Sequence, residues 1–341
     1  MTRPSVSLML SLSDPERDKN RPISCPGGDF DWRSWLSAAE KQGVLPIISK
    51  NFEGVSPGNV PAWVIEEAAR SYTAAWARNM FLENEIEEFA RALSETEIRA
   101  IVLKGPALAE SVYPEMGMRP FTDIDLLIAR DAVPEVCALL RRMGYKPDFT
   151  ETEMSAEDGL RKACFQRKIE DLDSCIEVHW DAVNSPSLRA RCSVKFADLS
   201  PDARPWSACP ALSFPCPEDS LITCLIHLAV GHRFDRLVLF VDVLQILRRT
   251  KSEFDWPKFF HKADRYGAGL ICASALRLTD DLFPLPISPE YMKEIRRRLR
   301  LPWLWKLVLN GQQAANCEAW GTWVRLHIYR EMIKRFGGRR L

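Results

Sequence analysis

Residues 98–180 constrain this chain more than any other stretch. Upstream, Ala62 to Leu93 contains no Gly or Pro and is rich in Ala, Glu and Arg, which predicts a long helical stretch, as one helix or two. The pattern changes at Ile98. Ile101-Val102-Leu103 reads as a short strand, broken by Lys104-Gly105-Pro106. Ala107 to Val112 suits a helix starting after Gly-Pro. Pro114 to Pro120 is a loop, Asp123 to Ile128 a second strand, and Pro134 to Met143 a helix ending at Gly144. Ala163 to Ile169 and Cys175 to Trp180 resemble two strands joined by the acidic turn Glu170-Asp171-Leu172-Asp173. Strands alternating with helices should form a sheet packed on helices.

Helical patterns flank this block. Residues 1–28 carry Pro, Ser and mixed charge and read as a loose tail. Asp31 is a plausible N-cap for the helix that follows, with Gly43 as its stop, so 29–97 reads as an N-terminal helical region. The core runs over 98–185. Residues 186–217, rich in proline, read as a connector. Residues 218–341 read as a C-terminal helical region, with apolar helices over Asp219 to Ala229 and Leu237 to Arg249. Its end, from Glu290, carries twelve Lys/Arg against four Asp/Glu and reads as a solvated basic face. Trp303 and Trp305 read as packing.

Composition excludes several classes. Lys+Arg and Asp+Glu both number 46, so the basic excess of a DNA-coating protein is absent. With 46% hydrophobic residues the chain is not largely disordered. No window reaches the roughly 18 apolar residues of a membrane helix, and Ser5 to Ser13 is too polar for a secretory segment; the expectation is a cytoplasmic protein. The ten cysteines include no C-x-x-C pair. Several lie in apolar runs, such as Cys137 and Cys224, and read as reduced core residues.

Asp123 and Asp125 carry the chemistry. Two apart at the start of a strand, they point to one face, where two carboxylates can share hard divalent cations such as Mg²⁺. Two such ions stabilise both the attacking and the leaving oxygen of a phosphoryl displacement. Glu177, mid-strand among apolar residues, is the candidate third acid. Two other D-x-D triplets, Asp29-Phe30-Asp31 and Asp171-Leu172-Asp173, read as a helix cap and a turn. His179 shares the face of Glu177 and is a candidate general base or partner of that carboxylate. His227 and His232, five apart, do not share an α-helical face. With Asp242, which pairs with Arg236 or His232 in this reading, they form a hydrogen-bonded corner that lines the cleft.

The strings Leu103-Lys104-Gly105, Tyr113-Pro114, Gly117-x-Arg119-Pro120, Asp123-Ile-Asp125-Leu-Leu and Ile176-Glu177-Val178-His179-Trp180 resemble an uncharacterised bacterial nucleotidyltransferase family. The resemblance continues at Pro217-Glu218-Asp219 and through Leu221 to Leu247, with His227, His232 and Asp242. That family belongs to the DNA polymerase β-type nucleotidyltransferase superfamily; some relatives lie beside lasso-peptide biosynthesis genes. The resemblance covers roughly residues 30 to 250. It implies an α+β fold: a polymerase β-type core, a small mixed sheet with helices, here flanked by helical regions. It implies Asp123, Asp125 and Glu177 as catalytic metal ligands, with two Mg²⁺ ions or Mn²⁺ in their place. Lys104, Gly105 and Arg119 would bind the nucleotide; the other reading of Arg119, in its Gly/Pro-rich loop, is that it pairs with an acid to hold the loop. The implied partners are a nucleoside triphosphate, chiefly ATP, and a hydroxyl acceptor on a peptide or protein, a small molecule or an RNA end. The sequence departs from the superfamily pattern twice: Pro106 replaces the Ser after the turn Gly and has no N–H to donate, and the third acid is Glu. A fold kept without turnover, as a peptide- or protein-binding module, is the alternative.

Overall fold

The computed structural model describes residues 3–19, 29–53, 60–148, 162–184, 188, 191–206 and 209–299. Its centre is a seven-stranded mixed sheet in the order β3-β4-β5-β2-β1-β7-β6. The strands are β1 (Ala100–Val102), β2 (Ile124–Ile128), β3 (Lys146–Pro147), β4 (Lys162–Ile169), β5 (Leu172–His179), β6 (Arg204–Trp206) and β7 (Cys209–Phe214). β2 runs antiparallel to β1 and parallel to β5, so Asp125 faces Glu177 across the ladder. The turn between β4 and β5 is tighter than the sequence reading has it, with Glu170 at φ 53°.

The helices are α1 (Arg3–Leu12), α2 (Trp32–Lys41), α3 (Leu45–Phe52), α4 (Ala62–Ser94), α5 (Pro106–Ser111), α6 (Val133–Arg142), α7 (Phe196–Leu199), α8 (Pro217–Ile226), α9 (Leu237–Arg249), α10 (Trp256–Arg265), α11 (Gly269–Leu282) and α12 (Pro289–Arg298). Asp31 caps α2 by accepting from Ser34 N at 3.0 Å. The 62–93 stretch is one helix, and Gly144 ends α6 at φ +87°. The helices at both ends of the chain build one hydrophobic core. The sheet, with the second half of α4 and with α6, builds another. α4 ties them together: Val64 and Ala68 belong to the first core, Leu82, Ile86 and Phe89 to the second.

Two boundaries differ from the sequence reading. Part of the 1–28 tail is α1, which buries Val6, Leu8, Met9 and Leu12. A ten-residue helix is marginal alone. Burial of each aliphatic side chain contributes about 1.5–3 kcal/mol, and Asn51 of α3 donates to Leu12 O and Asp14 O at 2.9 and 2.8 Å, holding the helix end. Residues 20–28 lie outside the described set. The 186–217 connector contains two strands. β7 pairs in parallel with β1, placing Leu212 opposite Ala100, so the sheet extends beyond 98–185. Pro205 is accommodated because β6 is an edge strand. The eight cysteines among the described residues are free thiols. Trp303, Trp305 and the rest of the basic end beyond residue 299 lie outside them.

Candidate active site

The sheet delivers its acids to one point. Ile124 and Leu126 bury on one face of β2, leaving Asp125 on the other; the parallel register sets Asp125 beside Glu177, and the two-residue period of β5 adds His179. His179 Nε2 lies 2.9 Å from Asp125 Oδ1 and 3.3 Å from Glu177 Oε2. One ligand atom from each of the three falls within 4.8 Å of the others. Asp123 is not in this trio. It sits just before β2, its side chain 33% exposed against 1% for Asp125.

Lysines close the charge balance. Lys104 Nζ is 2.5 Å from Asp125 Oδ2 and 3.9 Å from Asp123 Oδ2. Lys162 Nζ is 2.5 Å from Glu177 Oε1. The Gly105 turn makes the first pair possible. Gly105 has φ 62° and ψ −111°, a region open chiefly to glycine, and a Cβ there would stand 3.1 Å from Asp123 O.

The titration behaviour follows from burial set against these partners. Burial pushes the Asp125 carboxyl up, but Lys104 and His179 outweigh it and hold the group far below the usual carboxylate range. Asp123 is raised, by burial and then by the neighbouring Asp125 charge. Glu177 is lowered, because hydrogen bonds from His179 and Lys162 overcome its burial. Lys104 is raised: burial opposes its charge, and Asp125 and Asp123 more than restore it. His179 is raised by its two carboxylates against the effect of burial. His227 is driven well below its ordinary value, first by burial and then by the Lys104 charge.

The acids lie in the wall of a cleft of about 1180 Å³ whose lining comes from both cores. Lys104, Asp123, Asp125, Lys162, Glu177 and His179 line it together with residues of α2, α3, α4, α8, the 119–122 loop, the 230–236 segment and the start of α9. Arg119, a nucleotide-binding candidate, reaches this lining but is committed elsewhere. Its Nε and Nη2 donate to the two oxygens of Asp242 at 3.1 and 2.8 Å, and Tyr113 OH donates to Oδ1 at 2.7 Å. Asp242 therefore pairs with Arg119 and Tyr113, not with Arg236 or His232. A buried aspartate on α9 requires a fixed cation, and Arg119 supplies it. Asn79 of α4 holds the same loop, donating to Met116 O and Arg119 O at 2.9 Å each.

The histidine corner lines the cleft as expected, but the two histidines meet in a way the α-helical period excludes. After α8 the chain continues as a π-helical turn over His227–Gly231, ending at Gly231, in which His232 N donates to His227 O at 3.0 Å. The wider turn brings positions five apart together, and the two rings meet edge to face at 4.6 Å. Such π turns occur frequently at functional sites. Lys162, Asn79 and Arg233 escaped sequence reading, and Arg236 entered it only as a partner for Asp242. Only the period of β4, which places Lys162 opposite His179, offered a signal for any of them.

A mixed sheet that sets paired carboxylates at the mouth of a cleft, with a glycine turn beside them, defines a nucleotidyltransferase-type core. The chain belongs to a family described as uncharacterised nucleotidyltransferases, whose profile matches residues 28–284. No curated protein and no solved structure matches the chain. No helix among the described residues is long and apolar enough to cross a membrane.

Proposed function

We propose that the protein transfers a nucleoside monophosphate from a nucleoside triphosphate, chiefly ATP, to a hydroxyl acceptor on a peptide or protein, a small molecule or an RNA end, releasing pyrophosphate. The observation that carries this reading is the in-register pair of Asp125 and Glu177 on the cleft wall, with Asp123 at the strand mouth. The donors suit a hard cation: they are carboxylate oxygens on the cleft wall, and the buried Asp125 Oδ2 already holds a cation, the Lys104 ammonium at 2.5 Å. Asp123, Asp125 and Glu177 would hold Mg²⁺, which supplies charge neutralisation for the displaced phosphate oxygens. The chain's own groups do the rest. Lys104 is poised to exchange Asp125 for a phosphate oxygen. His179, on both carboxylates, fixes their orientation. The closed loop 113–121, pinned by Asn79 and Asp242, keeps Asp123 in place. Catalysis of this kind rests on positioning and electrostatics.

The test is unfolding of the wild type and of Asp123→Asn/Asp125→Asn with each NTP, with and without Mg²⁺. A ligand at about 100 times its Kd adds roughly 2.7 kcal/mol of stability. A metal-dependent rise confined to the wild type supports the reading, and label transfer from α- but not γ-labelled ATP then identifies the bond broken. A second reading, a partner-binding module without turnover, is favoured by one fact: Lys104, Lys162 and His179 already compensate the acids internally. It predicts no rise with any NTP and partner binding indifferent to Asp125→Asn.

A further inference from the structure

The cations closest to the carboxylates are already engaged: Lys104 and Lys162 by Asp125 and Glu177, Arg119 by Asp242. Another stretch of the lining differs. Arg233 and Arg236 are exposed, line the cleft, and have no side-chain partner among the described residues. The acids near them are occupied: Asp235 lies 3.6 Å from His232 Nδ1, and Glu40 accepts from the Ser71 hydroxyl at 2.8 Å.

The segment that presents these arginines is held on every side. It leaves the π-helical turn at Gly231, where a Cβ would meet His227 Nδ1 at 3.0 Å. Arg233 and Phe234 then both take positive φ, 50° and 64°, a conformation that persists in residues other than glycine only where the surroundings over-determine it. Here they do. Phe234 is buried, and its N–H donates to Leu228 O at 2.9 Å. The buried Gln42 side chain donates to Asp235 O at 3.1 Å and accepts from Leu237 N at 2.8 Å. Val238 N donates to Gln42 O at 3.1 Å. A backbone fixed in this way lowers the ordering cost of binding. His227 and His232, in ring contact with each other, line the same cleft.

We infer that Arg233 and Arg236 bind the terminal phosphates of a nucleoside polyphosphate whose reacting phosphate lies at Asp123, Asp125 and Glu177. The orientation rests on the proposed transfer reaction; the polyphosphate site rests on the segment itself. Each guanidinium offers a planar fork that matches phosphate oxygens bidentately.

Titration calorimetry of the full chain with inorganic tripolyphosphate and, separately, AMP tests this in metal-free buffer. Arg233→Gln and Arg236→Gln should each weaken tripolyphosphate about tenfold, the double variant more, with AMP affinity unchanged; the Lys variants should recover part of the loss. Both residues are exposed, so circular dichroism should show the variants folded. The inference falls if the wild type does not bind tripolyphosphate, if the folded double variant binds it as the wild type does, or if AMP weakens equally. Asp123→Asn/Asp125→Asn, which frees Lys104, should bind tripolyphosphate at least as tightly as the wild type. If the arginine dependence holds while label transfer from α-labelled NTP fails, the polyphosphate site stands and the transfer reaction falls.

Discussion

Two acidic clusters in this protein share a recipe and differ in what they leave open. Asp125, Glu177 and His179 form one; Asp202, Cys216 and Asp219 form the other, and each brings three potential ligand atoms within 4.8 Å. In the second, Lys262 Nζ sits 2.5 Å from Asp219 and 2.7 Å from Asp202. The Cys216 thiol donates to Asp219 Oδ2 at 3.2 Å and Tyr266 OH to Oδ1 at 3.1 Å. Asp219 is fully buried with both oxygens satisfied, and it fastens the start of α8 to α10. In the first cluster Asp125 Oδ2 is likewise met by a lysine, Lys104 Nζ at 2.5 Å, but the group lines the cleft. Charge compensation is common to both. Access to a cleft separates a site from a joint.

The largest expected effect tests that separation on activity. Asp125→Asn should lower transfer from α-labelled NTP by at least about 10³-fold, on the order of 4 kcal/mol in the barrier. Asp219→Asn, assayed at a temperature where it is folded, should turn over like the wild type. Equal losses in both would erase the distinction.

Stability should show the reverse ranking. Lys262→Met leaves Asp219 charged and buried beside a neighbour it cannot neutralise, a loss of about 3–5 kcal/mol in urea unfolding. Lys104→Met should cost less, because Asp125 retains His179 and borders a cleft that admits water. A larger loss for Lys104→Met would make the cleft cluster the structural joint.

What the sequence disclosed follows from the range of the forces involved. Asp125 and Glu177 were legible because strand period and local apolar context place them, and the parallel register then did the rest; Asp123, expected on the same strand face, lies just before the strand and outside the trio. β7 was hidden: its partner β1 lies more than a hundred residues away, and the prolines of 201–217 mask its strand pattern. The fate of Arg119 was equally non-local, since nothing near it in sequence announces Asp242. The His227–His232 contact depends on a π turn, which the 3.6-residue period excludes by construction. The N-terminal helix failed for the opposite reason. Its local signal is weak, and packing on α3 supplies what the signal lacks.

The Gly105 turn belongs to the open cluster, and no residue of the closed one needs a comparable backbone. Gly105→Ala forces a Cβ into φ 62°, ψ −111° and against Asp123 O. The expected cost is about 1–3 kcal/mol, read by thermal unfolding. Metal-dependent stabilisation by NTP should weaken with it, because the displaced carbonyl belongs to Asp123. Full stability with full NTP response would remove the turn from the site.

The smallest effect separates the two regions by pH. His227 lies in the open cleft wall and is held neutral, its pKa well below the ordinary 6.5 through burial and then Lys104; the closed cluster contains no histidine. A depressed folded pKa means that below pH 6.5 the unfolded chain takes up a proton that the folded protein refuses. His227 therefore subtracts stability as pH falls through 6.5, by up to about 1.4 kcal/mol per unit, and subtracts nothing above it. His227→Gln removes this term while keeping a polar side chain of similar size. Urea unfolding at intervals from pH 8 to pH 5 should give a constant wild-type-minus-variant difference above pH 7 that turns steadily against the wild type below 6.5. Parallel curves would mean that the cleft wall accepts the proton, and the open cluster would then carry one more positive charge than its geometry assigns.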